Sequence, residues 1–142
     1  MKRDKRDILY SKLIRFGSGA TPICEYCGKE YPNGIGVECS HIYGRRNQTS
    51  RCLLNPRNAV SLCHYHHRYF TENPLEFNRF LNALLGEEHL AGIRKVVHSN
   101  IKLTRADKED LYQYLKGCEE LLKTLRMNGY QGTVDYPEWK RE

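Results

Sequence analysis

Two short segments decide the fold of this chain: CEYC at positions 24–27 and NAVSLCHYHH at positions 58–67. The first holds two cysteines with two residues between them, and the second holds a cysteine and a histidine at the same spacing. Each pair closes a tight turn that aims two ligand atoms at one point. Thiolate and imidazole groups at this spacing predict one tetrahedral structural zinc site. The predicted zinc ligands are Cys24, Cys27, Cys63 and His66.

A second ligand set competes with this one. Cys39 and His41 are two residues apart on a predicted strand, so their side chains share a face. With Cys24 and Cys27 they could complete a metal site. Two unrelated clusters of buried thiols are a further alternative. The Cys63 pair is favoured because it falls at the first turn of a predicted helix. The cysteines that then lie outside the site are Cys39, Cys52 and Cys118, the last within a helix seam.

The composition is that of a small basic chain. Its 142 residues have room for one domain, and 39% hydrophobic residues is low for one large core, so a metal cross-link would add stability. The net charge of +6 suits a polyanionic partner, although an ordinary basic protein carries the same charge. No secretory signal follows the charged segment 1–7, and no apolar run approaches the ~20 residues of a membrane span. We therefore expect no membrane association and reduced thiols in the cytoplasm.

The N-terminal half is predicted to alternate between helix and strand. A helix over residues 4–16 is broken by the glycines that follow it. Next come a strand within 35–43 and a polar, basic loop over 44–51. A short second strand near Ala59 and Val60 would lead into a helix that begins at about Ser61.

The C-terminal half is predicted to be helical. Asn73 as cap, Pro74 at the first helical position and Glu76 mark a helix start, and Gly86 marks its end. Two further helices are predicted over 87–98 and from Thr104 to the Asn128-Gly129 pair. Residues 130–142 have no period and are predicted to be a tail with Trp139 as its docking point.

A second set of chemical groups, His41, Asn58 and His67, is interleaved with the zinc ligands. A histidine that can take a proton, an asparagine that can hold a loop and a histidine that can bind a metal suggest phosphodiester hydrolysis. With both knuckles, segment 22–70 resembles the HNH endonucleases, whose nuclease centre is a ββα-metal finger. The resemblance implies an α+β fold in which a zinc-stapled finger is flanked by an N-terminal helix and a C-terminal helical extension. The expected divisions are 1–20, 21–72, 73–129 and 130–142.

The resemblance also implies a role for each residue. His41 would be the general base, His67 would bind a catalytic Mg²⁺ or Mn²⁺ ion, and Asn58 would tie the hairpin loop. Asn55 competes for the last role at a poorer spacing to His67. Neighbouring helical residues point about 100° apart, so if His66 faces the zinc, His67 faces the β-hairpin.

One position departs from the family pattern. Many members have an aspartate that binds the catalytic metal immediately before the catalytic histidine, and here Ser40 stands there. Serine is a poor ligand for a hard cation. Glu38 shares the strand face of Ser40 and is the candidate to supply the carboxylate, the alternative being a solvated strand residue. Because of Ser40, the alternative function is that of a catalytically inactive module that binds DNA or protein.

DNA is the expected partner, with RNA as the alternative. Guanidinium groups suit phosphate oxygens, and five arginines surround the predicted site. These arginines are Arg45, Arg46, Arg51, Arg57 and Arg68. The C-terminal helices are candidates for pairing two copies of the chain. A small HNH protein of this kind is expected to be encoded by a phage or prophage and to act in the host cytoplasm.

Overall fold

The chain folds as an α+β protein in which a small β-hairpin is surrounded by helices. The computed structural model describes residues 5–43, 55–98 and 103–139. The described strands are β1 (Val37–His41) and β2 (Ala59–Cys63), and single 3₁₀ turns lie at Pro32–Gly34 and Pro56–Asn58. The described α-helices are α1 (Lys5–Phe16), α2 (His64–Glu72), α3 (Pro74–Leu85), α4 (Glu87–Val97) and α5 (Arg105–Met127).

The hairpin and helix α2 form a continuous ββα unit. Strands β1 and β2 pair antiparallel, with Val37 opposite Cys63 and His41 opposite Ala59. The predicted start of the helix at about Ser61 is wrong, because Ser61 and Leu62 are fully buried ladder residues. Helix α2 begins only at His64. Pairing with the distant strand β1 therefore prevails over local helix formation.

Helix α1 packs on α5 at one side of the hairpin. Their shared core contains Leu13, Leu111 and Leu115, each at most 1% exposed, and Cys118 lies in the same seam, as predicted. Lys12 Nζ lies 2.9 Å from Glu119 Oε2 across the two helices. Helices α1 and α5 thus build one core, although 88 residues lie between them in sequence.

A second core lies on the other side of the hairpin, among α2, α3 and α4. Phe70 stacks on Phe77 and Phe80, with ring centroids 5.3 Å apart in both pairs. Cys24 and Leu62 belong to the same buried cluster and are fully buried. Two of the four predicted zinc ligands, Cys24 and Cys63, therefore belong to this core.

The helix caps match the sequence signals in part. Thr104 and Asp107 form a reciprocal capping box at the start of α5. Pro74 begins α3 as predicted, but Asn73 does not cap it, because its amide Nδ2 donates to Tyr69 O at 2.8 Å in the preceding helix. Glu76 accepts a hydrogen bond from the Tyr69 hydroxyl instead of completing a cap.

The tail lacks helix and strand over 130–139 but is fastened to the first core. Tyr136 donates its hydroxyl to Leu13 O at 2.8 Å, and Val134 N donates to Gly17 O at the same distance. Trp139 is 8% exposed and donates Nε1 to Asp110 Oδ2 at 2.9 Å. The docking predicted for Trp139 is confirmed. Among all described helices, none has the length and apolar character needed to cross a bilayer.

Candidate metal centre and its surroundings

The four predicted zinc ligands converge on one point. Their ligand atoms all lie within 4.8 Å of one another. His66 Nδ1 lies 3.2 Å from Cys63 Sγ and 3.8 Å from Cys24 Sγ. Zinc bonds of about 2.3 Å to sulfur and about 2.1 Å to nitrogen put tetrahedral S···N pairs at about 3.6 Å, so the donor set fits a Zn²⁺ ion. This Cys₃His cluster could hold a metal ion, which is consistent with structural zinc.

Backbone hydrogen bonds shape the first knuckle. Cys24 N donates to Lys29 O at 3.0 Å, and Gly28 N donates to Cys24 O at 2.8 Å. Gly28 has φ +76°, a conformation that a residue with a Cβ rarely adopts, so the tight turn requires glycine. Glu25 fastens the knuckle to β2, because its N donates to Ser61 O and its carboxylate accepts from Ser61 N at 2.7 Å.

The second knuckle uses the junction of β2 and α2. Cys63 ends the strand and caps the helix, with its Sγ accepting from His66 N at 3.5 Å. His66 stands one helical turn later and directs Nδ1 at the same sulfur. Because a strand end and a helix start are both anchored in the core, the second pair of ligands is preorganised.

The thiols of the first knuckle differ in acidity. Burial raises the pKa of Cys24 above its ordinary value. The backbone N–H of Lys29 lowers the pKa of Cys27, which lies near the surface. Metal binding needs thiolates, so loading the cluster would release the proton of Cys24.

The rival ligand set, in which Cys39 and His41 join the first cysteine pair, is wrong. Cys39 packs against the core of α1 and α5, on the side of the hairpin opposite to Cys24. His41 lies on the same side, and its ring stacks on that of Tyr10 with centroids 5.6 Å apart. Strand alternation brings Cys39 and His41 to one face, as expected, but this face is turned towards α1.

Asn58 ties the chain just after His41. It is fully buried, its Oδ1 accepts from Tyr43 N at 3.0 Å, and its Nδ2 donates to Tyr43 O at 3.2 Å. Its carbonyl also accepts from Ile42 N at 2.9 Å. These three hydrogen bonds fasten the residues that follow β1 to the turn before β2. Asn55 instead caps the 3₁₀ turn, with its Oδ1 accepting from Arg57 N.

Glu38 joins two histidines of helix α2. Its Oε1 lies 2.8 Å from His67 Nδ1, and its Oε2 lies 3.1 Å from His64 Nδ1. Partial burial acts to raise the pKa of Glu38, but the hydrogen bonds from His67 and His64 outweigh it, and the pKa is lowered. The sequence reasoning missed His64, whose signal was its three-residue spacing from His67 on one helix face.

The structure does not bring all the predicted nuclease residues to one face. Along β1, Glu38 and Ser40 alternate with His41, so Glu38 faces α2 whereas His41 faces α1. Ser40 is buried opposite Val60 in the ladder. Glu38 thus contacts His67, whereas His41, the last residue of β1, contacts Tyr10.

Two of the five predicted DNA-binding arginines lie in the described residues. Arg57 is exposed beside Asn58, and its Nη2 lies 3.3 Å from His89 Nδ1, while His89 Nε2 donates to Arg57 O at 2.8 Å. Arg68 pairs with Glu72 at 3.4 Å on the surface of α2. Arg45, Arg46 and Arg51 lie outside the described residues, as does Cys52.

Comparisons of the chain with models of known protein families, with curated proteins and with solved structures found no match.

Proposed function

We propose that this protein is a metal-dependent DNA endonuclease that hydrolyses phosphodiester bonds. The observation that carries the proposal is the ββα unit itself: a hairpin running directly into a helix, clasped by a Cys₃His cluster, with Asn58 fastening the strand end that carries His41. Its support also includes the resemblance of segment 22–70 to the HNH finger and the net charge of +6.

His41 is the proposed general base. A neutral imidazole can take a proton from a water molecule near neutral pH as that water attacks phosphorus. The loop tied by Asn58 would keep the backbone of His41 in place, and the ring of Tyr10 supports the imidazole from one side.

His67 is the proposed ligand of the catalytic Mg²⁺ or Mn²⁺ ion. Its Nδ1 hydrogen bonds to Glu38, which leaves the lone pair of Nε2 for a metal. Glu38 would then orient the ring of His67 rather than bind the ion directly. When bound, the ion would stabilise charge on the phosphate and on the departing 3′ oxygen.

Cleavage of supercoiled plasmid with added Mg²⁺ or Mn²⁺ tests the proposal. We expect His41→Ala to lose about 10²–10⁴-fold in rate, because the water loses its base, while zinc content and DNA binding are kept. His98→Ala is the matched control, since His98 is an exposed histidine at the end of α4. If His41→Ala and His98→Ala cleaved the plasmid at equal rates, His41 would not be the general base.

His67→Ala should also lower the rate, and extra Mg²⁺ or Mn²⁺ should partly restore it because the defect is weaker metal binding. Its structural zinc should remain, because His66 and not His67 belongs to the Cys₃His cluster. Loss of zinc from His67→Ala would contradict this division of roles between the two histidines.

A second candidate function is a zinc-stapled module that binds DNA without cutting it. Two observations favour it: Ser40 replaces the family's aspartate, and His41 and Glu38 leave β1 on opposite faces. DNA binding by the wild-type protein without cleavage in either metal would support this alternative over the endonuclease.

A further inference from the structure

A basic groove lies between the first turns of helices α1 and α5, outside the finger. It has a volume of about 350 Å³ and opens to solvent. Helices α1 and α5 are packed together along the first core, so the two walls of the groove hold a defined spacing. The residues that line the basic groove are Lys5, Arg6, Arg105, Lys108, Glu109 and Tyr112.

Positive charge predominates in the basic groove, with four cationic side chains and one carboxylate in its lining. Within the described ranges, no carboxylate pairs with Lys5, Arg105 or Lys108. The lining carboxylate, Glu109, accepts a hydrogen bond from Gln113 at 3.1 Å. Three of the four lining cations, Lys5, Arg105 and Lys108, are therefore not neutralised by a carboxylate of the described ranges.

Nearby acidic residues are engaged elsewhere. Asp107 accepts from Thr104 N at 2.9 Å in the capping box, and Asp110 accepts the indole N–H of Trp139 at 2.9 Å. These contacts direct both carboxylates to the helix cap and the tail.

The groove is held in shape by contacts between its two walls. Lys5 Nζ lies 4.2 Å from the centroid of the Tyr112 ring, a cation–π contact that joins α1 to α5. About two turns further along both helices, Lys12 reaches Glu119 across the same interface. A preorganised cationic surface loses little entropy when it binds an anion.

Helix α1 connects the basic groove to His41. Arg6 and Tyr10 are four residues apart, so they share a helix face about 6 Å apart along the axis. The Tyr10 ring stacks on His41, and its hydroxyl donates to Asn55 O at 2.6 Å. Successive phosphates of one DNA strand are spaced by about 3.4 Å along the duplex axis. The groove thus lies within a few phosphates of a backbone positioned at His41.

We propose that the basic groove binds the DNA phosphate backbone next to the scissile bond. Ammonium and guanidinium groups on two walls suit successive phosphates of one strand, and phosphate contacts of this kind position a protein on DNA. The proposal rests on the endonuclease function given above and assigns the terminal helices a part in substrate binding.

The test measures DNA binding separately from cleavage. Fluorescence anisotropy with a labelled duplex of about 30 base pairs, without added divalent metal, gives affinity over about 50–200 mM salt. The groove variant carries Lys5→Gln, Arg105→Gln and Lys108→Gln. The control variant carries Lys29→Gln, Arg79→Gln and Lys123→Gln, which removes the same charge from exposed positions outside the groove.

We expect the groove variant to bind more weakly and its plot of log affinity against log salt to lose about 2–3 in slope, since each lost phosphate contact removes about 0.9. The control should lose much less. A charge-keeping variant, Lys5→Arg with Arg105→Lys and Lys108→Arg, should retain the wild-type slope. Zinc content and thermal unfolding like those of the wild type establish that each variant is folded.

The outcomes separate this proposal from the proposed function. Equal slope losses in the groove and control variants would overturn the groove proposal while leaving plasmid cleavage, and hence the endonuclease, intact. Binding with the expected slope loss but no cleavage in Mg²⁺ or Mn²⁺ would support the groove and refute the endonuclease. A wild-type protein that does not bind DNA would overturn both.

Discussion

At the scale of single residues, the candidate metal centre depends on which cysteine sulfur lies close enough to the other ligand atoms to share one ion. Cys63 is buried at the junction of β2 and α2, whereas Cys39 lies 24 residues earlier on the other side of the same hairpin. Both are cysteines on paired strands, yet only Cys63 lies 3.2 Å from an imidazole nitrogen of the cluster. This contrast makes the two residues a matched pair for mutation.

Cys63→Ser should therefore lose the zinc, while Cys39→Ser should keep about one zinc per chain. Metal binding and folding are coupled in small zinc-stapled units, so Cys63→Ser should also unfold with lower cooperativity. Metal analysis of the purified proteins and denaturant unfolding measure the two effects. Zinc loss from Cys39→Ser with retention in Cys63→Ser would show that the ligand assignment is wrong.

At the scale of elements, the contact between α1 and α5 combines an apolar seam with one buried acid. Glu119 is 8% exposed and receives Lys12 at 2.9 Å and Lys116 at 3.6 Å. The hydrogen bond from Lys12 lowers the pKa of Glu119, and Lys123 and Lys116 act in the same direction. The same interface holds the walls of the basic groove.

This lowered pKa makes part of the stability depend on pH. The folded protein binds fewer protons at Glu119 than the unfolded chain does, so the contribution is present above the ordinary glutamate pKa and is lost as pH falls through the lower folded value. Glu119→Gln should lose about 1 kcal/mol near pH 7, since Lys12 is partly exposed.

Denaturant unfolding at pH 7 and over pH 5 to 3 measures this effect. The wild type should lose more stability on acidification than Glu119→Gln. The difference between their free energies of unfolding should therefore become smaller. Glu120→Gln is the control, because Glu120 is exposed and pairs at 3.7 Å with Lys123. If the difference between the free energies of unfolding of the wild type and Glu119→Gln grew in acid, the pKa of Glu119 would not be lowered in the folded protein.

At the scale of the whole molecule, the tail closes the first core. Trp139 is 8% exposed, whereas Met127, at the end of α5, is 86% exposed. Burial of a large aromatic side chain contributes several kcal/mol, although a site near the end of a chain can partly collapse after truncation.

We therefore expect Trp139→Ala to destabilise the fold by about 2–4 kcal/mol and Met127→Ala to change it by less than about 0.5 kcal/mol. Urea unfolding gives both values. Equal and small effects would mean that the tail does not stabilise the core.

The amino-acid sequence by itself determined the four candidate metal ligands, the start of α5 after Thr104 and the bounds of α1 and α5 to within a residue or two. These features depend on neighbours a few positions apart: ligands at one turn spacing, a cap with its third residue, and apolar stripes at the helical period. The paired spacing in CEYC and CHYH needs no knowledge of the rest of the chain.

Only the tertiary structure decided what depends on distant partners. Strand β2 continues to Cys63 because β1 pairs with it, and Glu38 meets His64 and His67 because α2 folds back on the hairpin. The tail and the basic groove join chain segments about 100 residues apart. Such contacts stabilise the fold only after a long loop has closed. No pattern of neighbouring residues therefore predicts them.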